Sequence, residues 1–242
     1  MSLSVTVLGC AGTYPGPDEA CSGYLLRTDT TTVVVDLGSG TLANLQRHVA
    51  LADVDALVIT HEHPDHWLDL PILRNAMRYM LGLEGLPVYG TAATLAEAER
   101  LIGEVAPTLV FATITAGATV TVGDLTLGFD RTDHPVETLA VRAEGGGRSV
   151  LYSADTGPGW DPAGFGDGVD LFVCESTFTP EQEGEIHLSA RQAGALAARL
   201  GVGRLVVTHV APALDEVDQC RAAADAFGGP VDAAIPNATF AA

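Results

Sequence analysis

The chain has 242 residues, 47% of them hydrophobic, and twelve basic against thirty-one acidic residues give a formal net charge of −19 at pH 7. That length suits one domain, expected over 1–242, whose core needs no disulfide staples. All twelve basic residues are arginines, and no basic cluster offsets the acidic field, so long nucleic acid is a poor partner.

Met1 to Thr6 has no basic residue before its apolar stretch, which argues against a signal peptide. No apolar run reaches the roughly 18 residues of a membrane span. Cys10, Cys21, Cys174 and Cys220 are too scattered for a disulfide framework, so reduced thiols and a cytoplasmic location are expected. Short β-branched runs open the chain: Val5–Leu8, Tyr24–Leu26 and Thr31–Val35, the last two joined by a turn at Asp29-Thr30. A helix is expected over Leu42–Val49, a buried strand over Ala56–Thr60, and helices over Leu68–Leu81 and Leu95–Val105. Strands return from Leu109, around Val120, and at Leu125–Leu127, Leu139–Val141, Ser149–Tyr152 and Asp170–Cys174. Ser189 caps a helix that runs to about Leu200. Arg204–Thr208 is a further strand and Val231–Ile235 the last. This order predicts two sheets packed face to face with helices outside, a layered α/β sandwich.

The densest chemistry follows the strand Ala56–Thr60. His61, Glu62, His63, Pro64, Asp65 and His66 place three imidazoles and a carboxylate at a strand's end, where function concentrates. Imidazole with carboxylate suits zinc, manganese or iron. His61 and His63, two apart, can face one metal while Asp65 and His66 turn toward a second. More ligands must come from elsewhere. His134, before Pro135, and His209, after Thr208, each follow a strand, and Asp155 follows Tyr152 into a turn. His48 lies beside Arg47 and reads as a surface residue. Asp36 reads as a residue that holds a ligand histidine rather than as a ligand. Trp67 could stack on a base, although core packing is the simpler use.

The loop His61 to His66 resembles the HxHxDH signature of the metallo-β-lactamase superfamily, and the likeness covers nearly the whole chain. It implies a four-layer αββα sandwich of two mixed sheets flanked by helices. It also implies that His61, His63 and His134 bind one divalent metal, that Asp65, His66 and His209 bind a second, and that Asp155 bridges them. Zinc is the first candidate for both, with manganese or iron as alternatives. Leu8–Thr13, Ser22–Leu26 and Val35–Gly40 resemble the ribonuclease Z-like branch. Cys174–Phe178 and His187–Ser189 resemble its paired Glu and His motifs, whose histidine contacts the scissile phosphate. The chain departs from ribonuclease Z in one respect. Only twenty residues separate His134 from Asp155, too few for the long tRNA-gripping arm. Asp65-His66-Trp67-Leu68-Asp69-Leu70-Pro71 is similar to the atypical class II-like cyclic-nucleotide phosphodiesterases.

The resemblance implies a dinuclear hydrolase that cleaves small phosphodiesters such as cyclic AMP. In that reading Asp65, His187 and Glu175 are the catalytic residues: His187 protonates the leaving alkoxide or clamps the phosphate, and Glu175 orients His187. A ribonuclease Z-like endonuclease, a hydrolase of esters, thioesters or lactones, and a metal-binding module without turnover stay open. A homodimer is left open as well.

Overall fold

The structure, a computed structural model, describes residues 3–242. Two seven-stranded sheets face each other. The first runs, in spatial order, β14 (Thr239–Ala241), β1 (Ser4–Gly9), β2 (Gly23–Arg27), β3 (Thr32–Val35), β4 (Ala56–Ile59), β5 (Leu86–Gly90) and β6 (Leu109–Thr113). The second runs β13 (Val231–Ala233), β12 (Arg204–Thr208), β11 (Leu171–Glu175), β10 (Arg148–Tyr152), β9 (Leu139–Gly145), β8 (Leu125–Arg131) and β7 (Thr119–Val122). Helices α1 (Thr41–Leu45), α2 (Leu70–Asn75) and α3 (Ala92–Ile102) belong to the first half, and α4 (Ala190–Leu200) and α5 (Glu216–Phe227) to the second. The predicted four-layer sandwich is the observed one.

Strand periodicity builds the layers. Side chains alternate faces along a strand, so Val33, Val35, Ala56 and Val58 enter the space between the sheets while Val34, Leu57 and Ile59 pack under the outer helices. The second sheet does the same: Leu171, Val173 and Val206 point inward, and Phe172, Cys174, Leu205 and Val207 meet the α4 side. Strands buried on both faces read as unbroken apolar runs, which is why these were legible. Each fully buried Val or Leu contributes roughly 1.5–3 kcal/mol of transfer free energy.

Strand direction brings functional ends together. β3 through β6 are mutually parallel, as are β10 through β13. β8 and β10 are each antiparallel to β9 and so run the same way. The carboxyl ends of β3, β4, β8, β10, β11 and β12 therefore open on one rim, the usual place for a site in such sheets.

Several expectations are corrected. The first helix spans only Thr41–Leu45, and the helix expected over Leu68–Leu81 is α-helical only at Leu70–Asn75, becoming a π-helix at Ala76–Leu81. The helix expected over Leu95–Val105 is α3, Ala92–Ile102, capped by the Thr91 hydroxyl accepting from the Thr94 N–H. β5, α5 and β14 were not expected, and β14 rather than Val231–Ile235 is the last strand of the chain. β5 contains Pro87, which weakens a strand signal in sequence, and β14 has three residues, too few for a periodic signal. α5 carries Glu216, Asp218, Gln219 and Arg221 in its first two turns, which hides its apolar face. The turn at Asp29-Thr30 and the Ser189 cap, completed by Gln192, are as expected.

Candidate metal centre

Seven side chains meet at the rim in two groups. His61 Nε2 lies 3.1 Å from His63 Nδ1 and 3.5 Å from Asp155 Oδ2. His134 Nε2 lies 3.2 Å from His63 Nδ1 and 4.0 Å from the same Asp155 oxygen. The second group gathers on the other oxygen. Asp155 Oδ1 is 3.2 Å from His66 Nε2 and 3.5 Å from His209 Nε2, and Asp65 Oδ2 is 3.7 Å and 3.4 Å from those two nitrogens.

These separations match what a metal needs. Four ligands at about 2.0–2.1 Å in a tetrahedron stand roughly 3.3–3.4 Å apart. His66 Nε2 and Asp155 Oδ1 are buried and have no hydrogen-bond partner. An unpaired buried polar atom is costly, and two such atoms aimed at one point fit a cation between them. The donor set, imidazole nitrogen and carboxylate oxygen, suits zinc, manganese or iron.

A surrounding layer fixes which nitrogen faces inward. Asp36 accepts from the Thr60 N–H (2.8 Å), the Thr60 hydroxyl (3.0 Å), His66 Nδ1–H (2.7 Å) and the Tyr152 hydroxyl (3.1 Å). The Thr60 hydroxyl proton is thereby used, so its oxygen accepts from His61 Nδ1–H at 3.0 Å. His134 Nδ1–H donates to the Ile186 carbonyl at 3.1 Å. His209 Nδ1–H meets Thr177 Oγ1 at 2.8 Å, and that hydroxyl lies 3.0 Å from Glu175 Oε2. Four imidazoles thus turn Nε2 toward the centre. Asp65 is held by the Thr13 N–H at 3.0 Å. Gly38 makes room here, since a Cβ on it would sit 1.9 Å from the Asp65 carbonyl oxygen.

The rim also carries backbone strain. Asp36, Ala154 and His209 have φ of 59°, 51° and 54°, a region that non-glycine residues occupy at a cost of about 1–3 kcal/mol. Each stands just past the end of a strand, β3, β10 and β12, and turns its own or the next side chain into the site.

Burial and mutual charge together set the electrostatics of these groups. Burial pushes the Asp155 carboxyl up, yet His209, His66 and His61 around it hold it well below the usual carboxylate range. Burial also presses His66 down, but Asp155 and Asp36 reverse this and hold it well above the ordinary imidazole value. Burial, reinforced by neighbouring His66, lowers His61 to about 4. Asp65 falls to about 2, burial being overcome by the bond to His209 and by His66.

His187 stands outside both groups. Its ring stacks on His209 (centroids 5.4 Å, 27° between planes) and lies 5.3 Å from the His134 ring. His187 Nδ1–H donates to Glu175 Oε1 at 3.0 Å. Glu175, fully buried, also accepts from the N–H of Thr156 and of Leu188. Burial lowers His187, but Glu175 overrides it and raises the group to about 9. The expected site residues therefore converge. Trp67 does not line the site: it packs in the outer core, and its indole N–H donates to the Glu62 carbonyl. His48, expected on the surface, is half-buried and meets Asn237 at 2.9 Å. The links through Thr177 and Tyr152 were not foreseen. Thr177 lies two residues beyond Glu175, and its place in the motif was the one available signal.

A two-sheet sandwich with a histidine–aspartate cluster at one rim defines a metallo-hydrolase of the β-lactamase type. The family model described as "Beta-lactamase superfamily domain" matches residues 31–210, and the chain belongs to that family. It is 37% identical to Rv1339 of Mycobacterium tuberculosis, over 99% of this chain and 92% of the relative. It is 30% identical to a ribonuclease Z of Mycobacterium bovis, over 95% of each chain. The crystal structure of YhfI from Bacillus subtilis, a metallo-β-lactamase fold protein, superposes with a TM-score of 0.91 at 29% identity, covering 100% of this chain and 99% of that one.

Proposed function

We propose that the chain is a dinuclear metal-dependent phosphodiesterase for small cyclic nucleotides such as cyclic AMP. In this reading His61, His63 and His134 hold one divalent cation and Asp65, His66 and His209 the other, with Asp155 shared between them. Zinc is the first candidate, with manganese or iron as alternatives. The observation that carries the reading is the division of Asp155, one oxygen facing each group. Two such cations would supply hydroxide at neutral pH and stabilise charge on phosphoryl oxygens.

The protein's own groups complete the chemistry. Asp65, held by the Thr13 N–H, would keep the nucleophile's side of the site oriented. Glu175 fixes the tautomer of His187 by accepting from Nδ1, which leaves Nε2 to donate a proton to the departing alkoxide or to clamp a phosphate oxygen. No equivalent pair is needed by a centre that only stores metal, and this supports turnover.

A small substrate fits the charge. Two divalent cations act at short range against a net −19, while the distant phosphates of a polymer would meet the acidic surface beyond the screening length of about 8–10 Å. No helix among the described residues is long and apolar enough to cross a membrane. An endonuclease remains the second reading, favoured by the likeness to ribonuclease Z. One preparation at one metal loading should be assayed on cyclic AMP, a precursor tRNA and a thioester. We expect turnover of cyclic AMP and little tRNA cleavage at physiological salt. Robust tRNA cleavage without action on cyclic AMP would overturn the proposal, and hydrolysis of the thioester alone would replace it.

A further inference from the structure

Beside His134 the rim opens into a groove of about 440 Å³, lined by Asp133, His134, Pro135, Pro158, Glu185 and Ile186. That volume lies in the range of small-molecule sites. Its walls are fastened to each other and to the centre. The Ile186 carbonyl accepts from His134 Nδ1–H, the Gly157 N–H donates to the Asp133 carbonyl, and the Gly159 N–H donates to Asp133 Oδ2 at 2.8 Å. Gly157 lets the turn close, because a Cβ there would sit 2.0 Å from the Glu185 carbonyl oxygen and 2.8 Å from Asp133 Oδ2. The lining pairs apolar surface with negative charge. Pro135, Pro158 and Ile186, the last 47% exposed, offer flat or aliphatic faces. Asp133 and Glu185 supply two carboxylates. Arg131 donates to the His134 carbonyl at 3.2 Å but is not among the lining residues.

We infer that this groove is the subsite for the organic substituent of the scissile diester, and that Asp133 and Glu185 select substituents that carry no further phosphate. The inference rests on the reading of the centre as a phosphodiesterase. A diester whose phosphorus sits at the centre must send a substituent past His134, and the two prolines and Ile186 give a planar base or aryl ring an apolar seat. Carboxylates beside that seat can accept from sugar hydroxyls or an exocyclic amine. A second phosphate in the same place would face two like charges with no cation in the lining. Rejection of polynucleotides is then local as well as global.

The test compares two chromogenic diesters that differ in one group: thymidine 5′-(p-nitrophenyl phosphate), and the same compound bearing a 3′-phosphate. Bis(p-nitrophenyl) phosphate reports on the centre alone. The metal-loaded full chain should favour the compound without the 3′-phosphate by roughly tenfold in kcat/KM, the size expected for two partly screened like charges. In Glu185→Gln and in Asp133→Asn, both isosteric and both on exposed side chains, that ratio should fall toward unity. An unchanged ratio in both variants, or no preference in the wild type, would overturn the groove assignment while leaving the phosphodiesterase reading intact. No turnover of any of the three diesters would overturn both.

Discussion

The first sheet delivers four of the seven candidate ligands on one loop after β4, whereas the second delivers His134, Asp155 and His209 from three separate strand ends. In the first half the chain itself sets the spacing, so His61, His63, Asp65 and His66 need only a short 3₁₀ turn to fan apart. In the second half the spacing is set by hydrogen bonding between β8, β9, β10, β11 and β12. Two of those ligands depend on left-handed backbone, at Ala154 before Asp155 and at His209 itself. The first set is held by local covalent geometry and the second by the tertiary fold. Asp155, the residue that belongs to both groups, comes from the second.

The largest expected effect therefore falls on Asp155. Asp155→Ala should remove a donor from both groups at once and lower turnover by more than about a thousandfold, measured as steady-state kcat/KM on bis(p-nitrophenyl) phosphate. A comparably folded variant that kept a tenth of the activity would show that the two groups do not share a bridge.

His187→Ala should come next, and unevenly. Substrates with poor leaving groups should lose about a hundred- to ten-thousandfold, while activated aryl diesters, whose leaving groups need no proton, should lose far less. Equal losses on both would assign His187 to phosphate binding or structure instead of proton transfer. Asp36→Asn probes the layer behind the ligands. It should cost about 10–100-fold in metal affinity or activity, read by competition with a chelator, without changing the far-ultraviolet circular dichroism.

The smallest effect lies away from the rim, where β10 meets β11. Although burial presses its carboxyl upward, Asp170 is held below the usual carboxylate value by Arg148 and by the Ser149 hydroxyl and N–H. A depressed folded pKa adds stability that is present above the unfolded value of about 3.9 and is lost as pH falls through the folded one. Asp170→Asn should thus lower Tm by about 1–4 °C at pH 7, a surface-pair effect. The gap from wild type should narrow below about pH 4. A gap that stayed constant with pH would assign the effect to packing.

The contrast between the halves also explains which features are legible in the amino-acid sequence. The His61–His66 loop is legible because its ligands are neighbours in sequence, and chance does not crowd three imidazoles and a carboxylate after a strand. His134, Asp155 and His209 were found only because each follows a strand and the first cluster called for partners. Glu175 and His187 were legible as a resemblance, and their 3.0 Å bond gives that likeness a geometric basis. Thr177 and Tyr152 were not, since a threonine or tyrosine in a buried strand carries no mark of the group it will bond. The interior strands were clear from their apolar runs. α1 is shorter than its apolar pattern because Gln46, Arg47 and His48 continue only as turn.

The central claim is a shared two-metal centre, and metal stoichiometry tests it most directly. Wild type, His63→Ala, Asp65→Ala and Asp155→Ala should be reconstituted with one metal, desalted and measured by elemental analysis. The wild type should hold about two equivalents per chain, and His63→Ala and Asp65→Ala about one each. Asp155→Ala should retain less than either. A wild type that holds less than about half an equivalent of any transition metal after reconstitution, or an Asp155→Ala variant that keeps both, would contradict it.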